Sequence, residues 1–548
     1  MKNHYRIFSV LLAALLLLGT LAACTDTSDP ASDAASVTES TPDASEDAGS
    51  VEESMDESMG EVSAESTLEG DPTSEGTTPS SGAASSTTAG GNNKPGSTAK
   101  KPTASTTAAS KPTTVKITTT QKKITYPTLP SGFTYKTDAK DNAKDMKFPA
   151  ATSENFTQAA TKTPSAAAQT GSIYNALDFG VTPDDLAADS TALQHAMNQV
   201  SSLGGTLYIP KGIYIIDKPL TIPQRMTVSG DFDEVSDTDC TTFLVYCGHG
   251  DADGTPLITM SGYATFTGIR IYYPKQSKAS PVAYPATFTN SGDSYTIEDV
   301  FIVNPYFAMK FHNGSGRHWL TNIYGQPLYR GVEIDHCLDV GRMEGIVFAP
   351  YWSQHATEYT LNNLIAFTWG KTDWEFVGEL RAEYAAVGYK FTTLGNGNTG
   401  NVQLDSVSAY RCKDAVYVDA VQEHAGVVFN KSVFDGRINI SYMEIGPVKF
   451  DGCTFTANSY NETVLNLQGV GPIFVTGCTI DTSNAKNASA PAMYANADRM
   501  IVTGNHFTGK CTTDIRIGVE VKAGVFTGNS ATGHTLKITD ESTGNVAY

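Results

Sequence analysis

From about residue 171 onward the apolar positions fall into short bursts with a period of two, broken by Gly, Asn, Asp and Ser, which is the pattern of short strands joined by tight turns. One six-residue unit recurs: apolar, polar, small or polar, two variable positions, apolar. It reads Phe266-Thr-Gly-Ile-Arg-Ile271, Ile297-Glu-Asp-Val-Phe-Ile302, Met343-Glu-Gly-Ile-Val-Phe348 and Leu404-Asp-Ser-Val-Ser-Ala409. It returns as Phe429–Phe434, Phe450–Phe455, Val475–Ile480, Val502–Phe507 and Phe526–Ala531, with Leu320–Gly325 a weaker copy. Starts at 297, 320 and 343 are 23 apart, and those at 404, 429, 450, 475, 502 and 526 are 25, 21, 25, 27 and 24 apart. A period of this length without ten-residue stretches of 3.6 periodicity predicts one coil of a β-solenoid and excludes helical repeats. Leucine-rich repeats are excluded by the missing Leu and Asn positions.

A second strand follows each unit, at Ala308–Phe311, Val332–Ile334, Val416–Val418, Ile438–Ile440 and Val464–Leu467. Alternation turns Lys310, Glu333, Tyr417, Asn439 and Asn466 outward, stacked at about 4.8 Å per rung as a polar ladder. Such a ladder suits an extended sugar chain, and equally an ordinary solvated face. A solenoid needs its ends covered. Ser190–Val200 carries apolar residues at i, i+4 and i+7 behind Asp189 and Ser190, with Gly204-Gly205 as a stop, and is predicted to be the N-terminal lid. Cys453 and Cys478 hold equivalent repeat positions, as stacked small rungs or as a disulfide. The repeat is interrupted between 343 and 404, which reads as an insertion over 349–400.

The first quarter of the chain is of another kind. Between Thr25 and Asn93 there are no Lys or Arg and sixteen Asp or Glu among Ser, Thr, Ala and Gly, a composition unable to bury enough apolar surface to fold. Residues 25–125 are therefore predicted to be a disordered tether, acidic and then Ser/Thr-rich, with 126–170 a lead-in that packs on the lid or continues the tether. Residues 1–24 read as an export signal: Lys2 and Arg6, a short apolar run from Phe8 to Leu18, then Leu21-Ala-Ala-Cys24. That ending resembles a bacterial lipobox. The resemblance implies cleavage before Cys24, lipidation of its thiol, and a lipid-anchored, extracytoplasmic protein. A net charge of −20 argues against nucleic acid as a partner. The cysteines of the folded part lack CxxC or His-paired metal spacing.

Ala176-Leu-Asp-Phe-Gly180, Asp189-Ser-Thr-Ala-Leu-Gln-His-Ala196, Gly204-Gly-Thr-Leu-Tyr-Ile-Pro210 and Gly212-Ile-Tyr-Ile-Ile216 together resemble the opening of the pectate-lyase-like superfamily, rhamnogalacturonase and epimerase-like branch. The resemblance is specific over 171–231 and diffuse beyond. It implies an all-β fold, a right-handed single-stranded parallel β-helix with an N-terminal capping helix over 171–548, and activity on polysaccharides. One departure is plain: Val181-Thr-Pro-Asp-Asp185 replaces the usual Gly-Asp-Gly turn.

Candidate chemistry concentrates mid-solenoid. Trp319, Trp352, Trp369 and Trp374, all the tryptophans of the chain, lie within 56 residues, near Tyr329 and Tyr351. Their flat faces can stack on sugar rings or fill a core; packing is expected of Trp319 and Trp369, while Tyr351, Trp352 and Trp374 are candidates for binding. Glu333 and Asp335, two apart on a strand, would both face outward about 6.6 Å apart, within the acid–base window of an inverting glycosidase. Asp335 with His336 is an alternative base with an orienting carboxylate. Arg342 is placed to bind a substrate carboxylate or to pair with Glu344. Arg411 and Asp414 lie just before the strand of Tyr417, a further binding candidate, and their position resembles that of the paired-Asp motif of polygalacturonase-like enzymes, here with one Asp in Lys413-Asp414.

Three functions are expected from this: a glycoside hydrolase of pectin-like or other glycans, a lyase using Lys310 or Arg342 as base with Ca²⁺ on carboxylates, or a binding or adhesive surface protein. A monomer or a homotrimer is expected.

Overall fold

The computed structural model describes residues 156–164 and 172–548, apart from 234, 236–238, 425 and 444–445. Cys24 and the proposed signal and tether lie outside the described residues. Among those described, no helix is long and apolar enough to cross a membrane.

The chain winds into a right-handed parallel β-helix. Each coil contributes a strand to three parallel sheets, here A, B and C. Sheet A includes Thr206–Tyr208, Thr227–Ser229, Thr372–Gly378, Asn401–Asp405 and Val427–Asn430; sheet B includes Gly212–Ile216, Thr241–Val245, Arg381–Glu383 and Ser408–Tyr410. Sheet C includes Ala286–Asn290, Phe307–Phe311, Arg330–Ile334, Ile365–Trp369, Val387–Phe391 and Asp414–Val418. Thr265–Tyr272, Thr296–Ile302, Trp319–Gly325 and Cys337–Phe348 run unbroken from A into B.

The recurrent six-residue unit is the corner between A and B. Its third residue has a positive φ in coil after coil: Gly268 74°, Asp299 52°, Asn322 51°, Gly345 67°, Ser406 55°, Lys431 49°, Gly452 59° and Gly477 60°. One left-handed residue turns the strand without lengthening it, and only Gly, or a short polar side chain at some cost, adopts that geometry readily. The small-or-polar rule of the repeat follows from this bend.

The same geometry corrects the expected insertion. Met343 pairs with Val377, which pairs with Leu404, so Val377-Gly-Glu379-Leu-Arg-Ala382 is a further copy of the unit with Glu379 at φ 53°. The stretch 349–400 holds a complete coil, with two corners enlarged, one by the short helices Gln354–Ala356 and Thr357–Asn363 and one by the turn over 392–400. Glu379 hid this copy because a long charged residue rarely occupies such a bend.

The helix Ser190–Leu203 closes the N-terminal end, burying Leu193, Ala196, Met197 and Val200. Asp189 makes no side-chain bond to its own helix: its buried carboxylate accepts N–H bonds from Thr182 (3.1 Å) and Ile215 (3.1 Å), tying lid to first coil. The Ser190 hydroxyl accepts from the amides of Asp217 and Lys218. In the divergent turn, Asp184 takes the left-handed conformation at φ 62° and accepts from Ile213 N–H at 2.9 Å. Within the lead-in, Ala159 N–H donates to Ala188 and Lys162 N–H to Phe179, so 156–164 pack on the lid.

The main core fills the coil interior with like stacked on like: Trp369 on Phe391 at 5.1 Å and Phe429 on Phe450 at 5.0 Å. Cys453 and Cys478 are free and buried within it, without a disulfide. A second core lies on the outer face of sheet B, where Ile215, Leu244, Tyr272 and Phe301 are covered by Phe232, Leu328, Trp352 and Ala356.

Candidate functional site

Sheet C carries the polar ladder. In continuous register its outward positions are Thr259, Thr289, Lys310, Glu333, Thr368, Lys390, Tyr417, Asn439 and Asn466. Lys310 and Glu333 occupy adjacent rungs; Lys390 lies over the Tyr417 ring at 5.6 Å, and the Asn466 amide donates to Asn439 at 2.8 Å.

At the Lys310 level the ladder opens into a groove of about 530 Å³. Its floor is Thr289, Lys310, His312 and Arg330, and its walls are the 252–256 loop and the stacked rings of Tyr306 and Tyr329, 4.9 Å apart. The Arg330 guanidinium covers Tyr329 at 3.7 Å. Behind the floor, His312 Nε2 lies 2.8 Å from Glu333 Oε1, with side chains 26% and 14% exposed. This is an ion-pair distance without hydrogen-bond geometry; a ring rotation that made Nε2 donate to the carboxylate would fix the tautomer and leave Nδ1 as a base. The groove thus joins cations, a hydroxyl, aromatic rings and a His–carboxylate pair.

Several expected residues are placed otherwise. The strand ends at Ile334, so Asp335 does not share the outward face of Glu333. It is fully buried, accepting N–H bonds from His336 (3.0 Å), Lys371 (2.8 Å) and Asn396 (backbone 3.0 Å, side chain 2.8 Å). Four donors on one carboxylate make it a loop clamp with no free face for a substrate. His336 sits in that turn at φ 60°, its amide held by Asp335. Asp414 opens a sheet C strand, gripped by Arg437 through Nε–Oδ1 at 2.6 Å and Nη2–Oδ2 at 3.1 Å. Arg411 stands beyond sheet B over Tyr384 (5.8 Å) and Tyr410 (5.5 Å).

The tryptophans divide by sheet. Trp369 is core and Trp352, 2% exposed, anchors the enlarged corner on sheet B, where Tyr351 packs edge-on against Phe301. Trp319 and Trp374 are exposed on sheet A, so the packing expected for Trp319 does not hold. Trp319 pairs with Arg342, whose guanidinium lies over its ring at 5.9 Å, and Arg342 pairs with Phe376, on which Trp374 stacks at 5.9 Å. Of the expected residues, the groove therefore holds Lys310, with Glu333 behind it against His312, and Tyr417 follows on the same ladder. Sequence reasoning missed His312, Arg330 and Tyr306, while Tyr329 belongs to the aromatic cluster noted around the tryptophans. The 23-residue spacing that aligns Lys310 with Glu333, together with alternation from 310 to 312, was the available signal for His312.

A second cluster lies inside the coil. His318, Cys337 and Glu375 are fully buried, and their ligand-type atoms lie within 4.8 Å of one another. His318 Nε2 is 3.3 Å from Glu375 Oε2, an ion-pair distance without hydrogen-bond geometry, and both Glu375 oxygens lack a hydrogen-bond partner. Burial pushes the His318 imidazole down, but the Glu375 carboxylate and the Ser315 carbonyl outweigh it and hold it above its ordinary value. Burial, then the Glu375 charge, push the Cys337 thiol well up.

Residues 173–263 match the family model described as rhamnogalacturonase A/epimerase, pectate lyase-like, so the resemblance read from the lid and first coils holds. No curated protein matches. Among solved structures, the chain is similar to the A-module of a mannuronan C-5 epimerase from Azotobacter vinelandii, at 12% identity, 68% of this chain, 99% of that one and TM-score 0.42. It is also similar to an exopolygalacturonase from Thermotoga maritima (10%, 69%, 94%, 0.43) and to PfbA, a surface adhesin of Streptococcus pneumoniae (12%, 68%, 92%, 0.31).

Proposed function

We propose that this protein acts at the bacterial cell surface, held there through Cys24, on a uronate-containing polysaccharide laid along sheet C, and that its reaction begins with abstraction of the proton α to the uronate carboxylate. The observation that carries the reading is the groove in which Lys310, Arg330 and the His312–Glu333 pair meet. The family match over 173–263 supports a polysaccharide substrate.

The chemistry follows from the donor set. Lys310 and Arg330 neutralise the uronate carboxylate and stabilise the negative charge that develops on it when the C5 proton leaves. His312, oriented by Glu333, takes that proton. The electron pair then forms the C4–C5 double bond, and the C4–O bond breaks with the glycosidic oxygen leaving to be protonated. Tyr306 and Tyr329 offer ring faces to neighbouring sugars. Hydrolysis, by contrast, needs two carboxylates flanking the bond. Asp335 is committed to four N–H groups, so the partner of Glu333 would have to be Asp253 on the groove wall, which supports hydrolysis as a second reading.

The test is incubation of the full-length chain with a panel of uronate polysaccharides, following both ultraviolet absorbance and reducing ends. Unsaturated product is expected, reduced about 10²- to 10⁴-fold in kcat by His312→Gln and less by Glu333→Gln. Reducing ends without ultraviolet absorbance, lost in Asp253→Asn, would establish hydrolysis instead. Retained glycan binding with no turnover would leave the groove a binding site.

A further inference from the structure

We propose that His318, Cys337 and Glu375 bind one divalent metal ion of the zinc class inside the β-helix core, as a structural site separate from the sheet C groove.

The register makes the site. Trp319 pairs with Arg342 and Gly341 pairs with Glu375, so His318, Gly341 and Glu375 hold equivalent inward positions on three successive coils. At about 4.8 Å per rung, His318 and Glu375 are separated by a full coil. They meet because the rung between them has no side chain: a Cβ at Gly341 would lie 2.3 Å from Glu375 Oε1 and 2.4 Å from His318 Cε1. Cys337 approaches from the corner leading into the same strand as Gly341.

The tautomer gives a second, independent observation. His318 Nδ1 lies 2.5 Å from the Ser315 carbonyl oxygen, an acceptor, so Nδ1 carries a hydrogen and donates. The lone pair of a neutral imidazole then sits on Nε2, 3.3 Å from the Glu375 carboxylate but not directed along a hydrogen bond to it. Two lone-pair-bearing groups 3.3 Å apart in a dry interior repel unless a positive species lies between them. A proton would supply one charge and leave the Cys337 thiol donating to the Asp339 carbonyl at 3.0 Å, but it leaves both Glu375 oxygens without a hydrogen-bond partner. A divalent ion satisfies all three groups. A ring nitrogen anchored on a backbone carbonyl is the usual support of a metal-bound histidine, and thiolate plus carboxylate balance a 2+ charge.

Imidazole nitrogen, thiolate sulfur and carboxylate oxygen are the donor types zinc takes, with bonds of about 2.0–2.3 Å. Donor atoms within 4.8 Å of one another close on such an ion by inward movements of about 1 Å. Glu375 can supply both oxygens, completing four donors. Tyr295 stacks on His318 at 6.0 Å and shields the site from the neighbouring coil.

The full-length chain, purified without chelators, is expected to contain about one equivalent of zinc by elemental analysis. Chelation is expected to lower its melting temperature and added zinc to restore it. Exchange for cobalt(II) is expected to give visible d–d bands with a near-ultraviolet thiolate charge-transfer band, the latter lost in Cys337→Ser while the former persist. Metal-free protein whose melting is indifferent to both zinc and chelator would overturn the site, leaving a protonated His318–Glu375 pair. So would a cobalt spectrum unchanged by Cys337→Ser, which would put the metal elsewhere. Neither readout depends on turnover, so failure here leaves the reading of the groove untouched.

Discussion

Lys431 and Gly452 occupy the same bend of adjacent coils, at φ 49° and 59°, yet only one is a glycine. A left-handed conformation costs an L-residue about 1–2 kcal/mol, which Gly avoids at some expense in unfolded-chain entropy. Lys431→Gly is therefore expected to raise stability by about 0.5–1 kcal/mol, and Gly452→Val to lower it by about 1–2 kcal/mol, in urea unfolding. The same scale explains which site residues could be read in advance. Lys310 and Glu333 were legible because alternation within a strand fixes the face a side chain takes. Asp335 was not, because the strand stops one residue earlier and a carboxylate at its end is drawn inward by three loop amides and the Asn396 side chain. No local pattern reports where a strand ends to within one residue.

At the level of elements, the lid helix shows how a sequence signal can be right about an element and wrong about its fastening. Apolar spacing located Ser190–Leu203, but the helix is tied down by Asp189 reaching away to Thr182 and Ile215. Burial raises the Asp189 carboxyl to about 8, far above its value in an unfolded chain. The folded value being the higher, this group's contribution to stability is complete below the ordinary carboxyl range and is lost as pH rises through about 8. Urea midpoints are expected to be lower at about pH 9 than at about pH 5, and Asp189→Asn to flatten that difference. The complete coil at 372–391 is the complementary case: its strands are regular, and a single glutamate at the bend concealed it.

For the molecule as a whole, the β-helix was legible because every coil repeats one pattern, so weak signals add. The placement of function on a particular sheet was not. His312 and Glu333 meet through a register between coils, and the tryptophans, close in sequence, are dealt to different surfaces. Trp319 and Trp374 stand on sheet A, while the groove opens on sheet C. Trp374→Ala is accordingly expected to leave kcat/KM on a uronate polysaccharide within about twofold of the wild type, against the large loss in His312→Gln. A drop in affinity with Trp374→Ala would instead move substrate binding to sheet A.

The single-residue bend between sheets A and B has a further meaning for how such a protein diversifies. From the coil of Thr265–Tyr272 onward that edge is closed by one residue, whereas the preceding coil spans it with the longer link between Ser229 and Thr241. The connections from B to C accept variation, from the short link after Ile302 to the helical excursion at 354–363. Recognition segments along the rim of sheet C are thus free to change in these coils while the opposite edge keeps its single-residue turn. Grafting one such segment onto a related scaffold should transplant specificity without asking the recipient to fold anew.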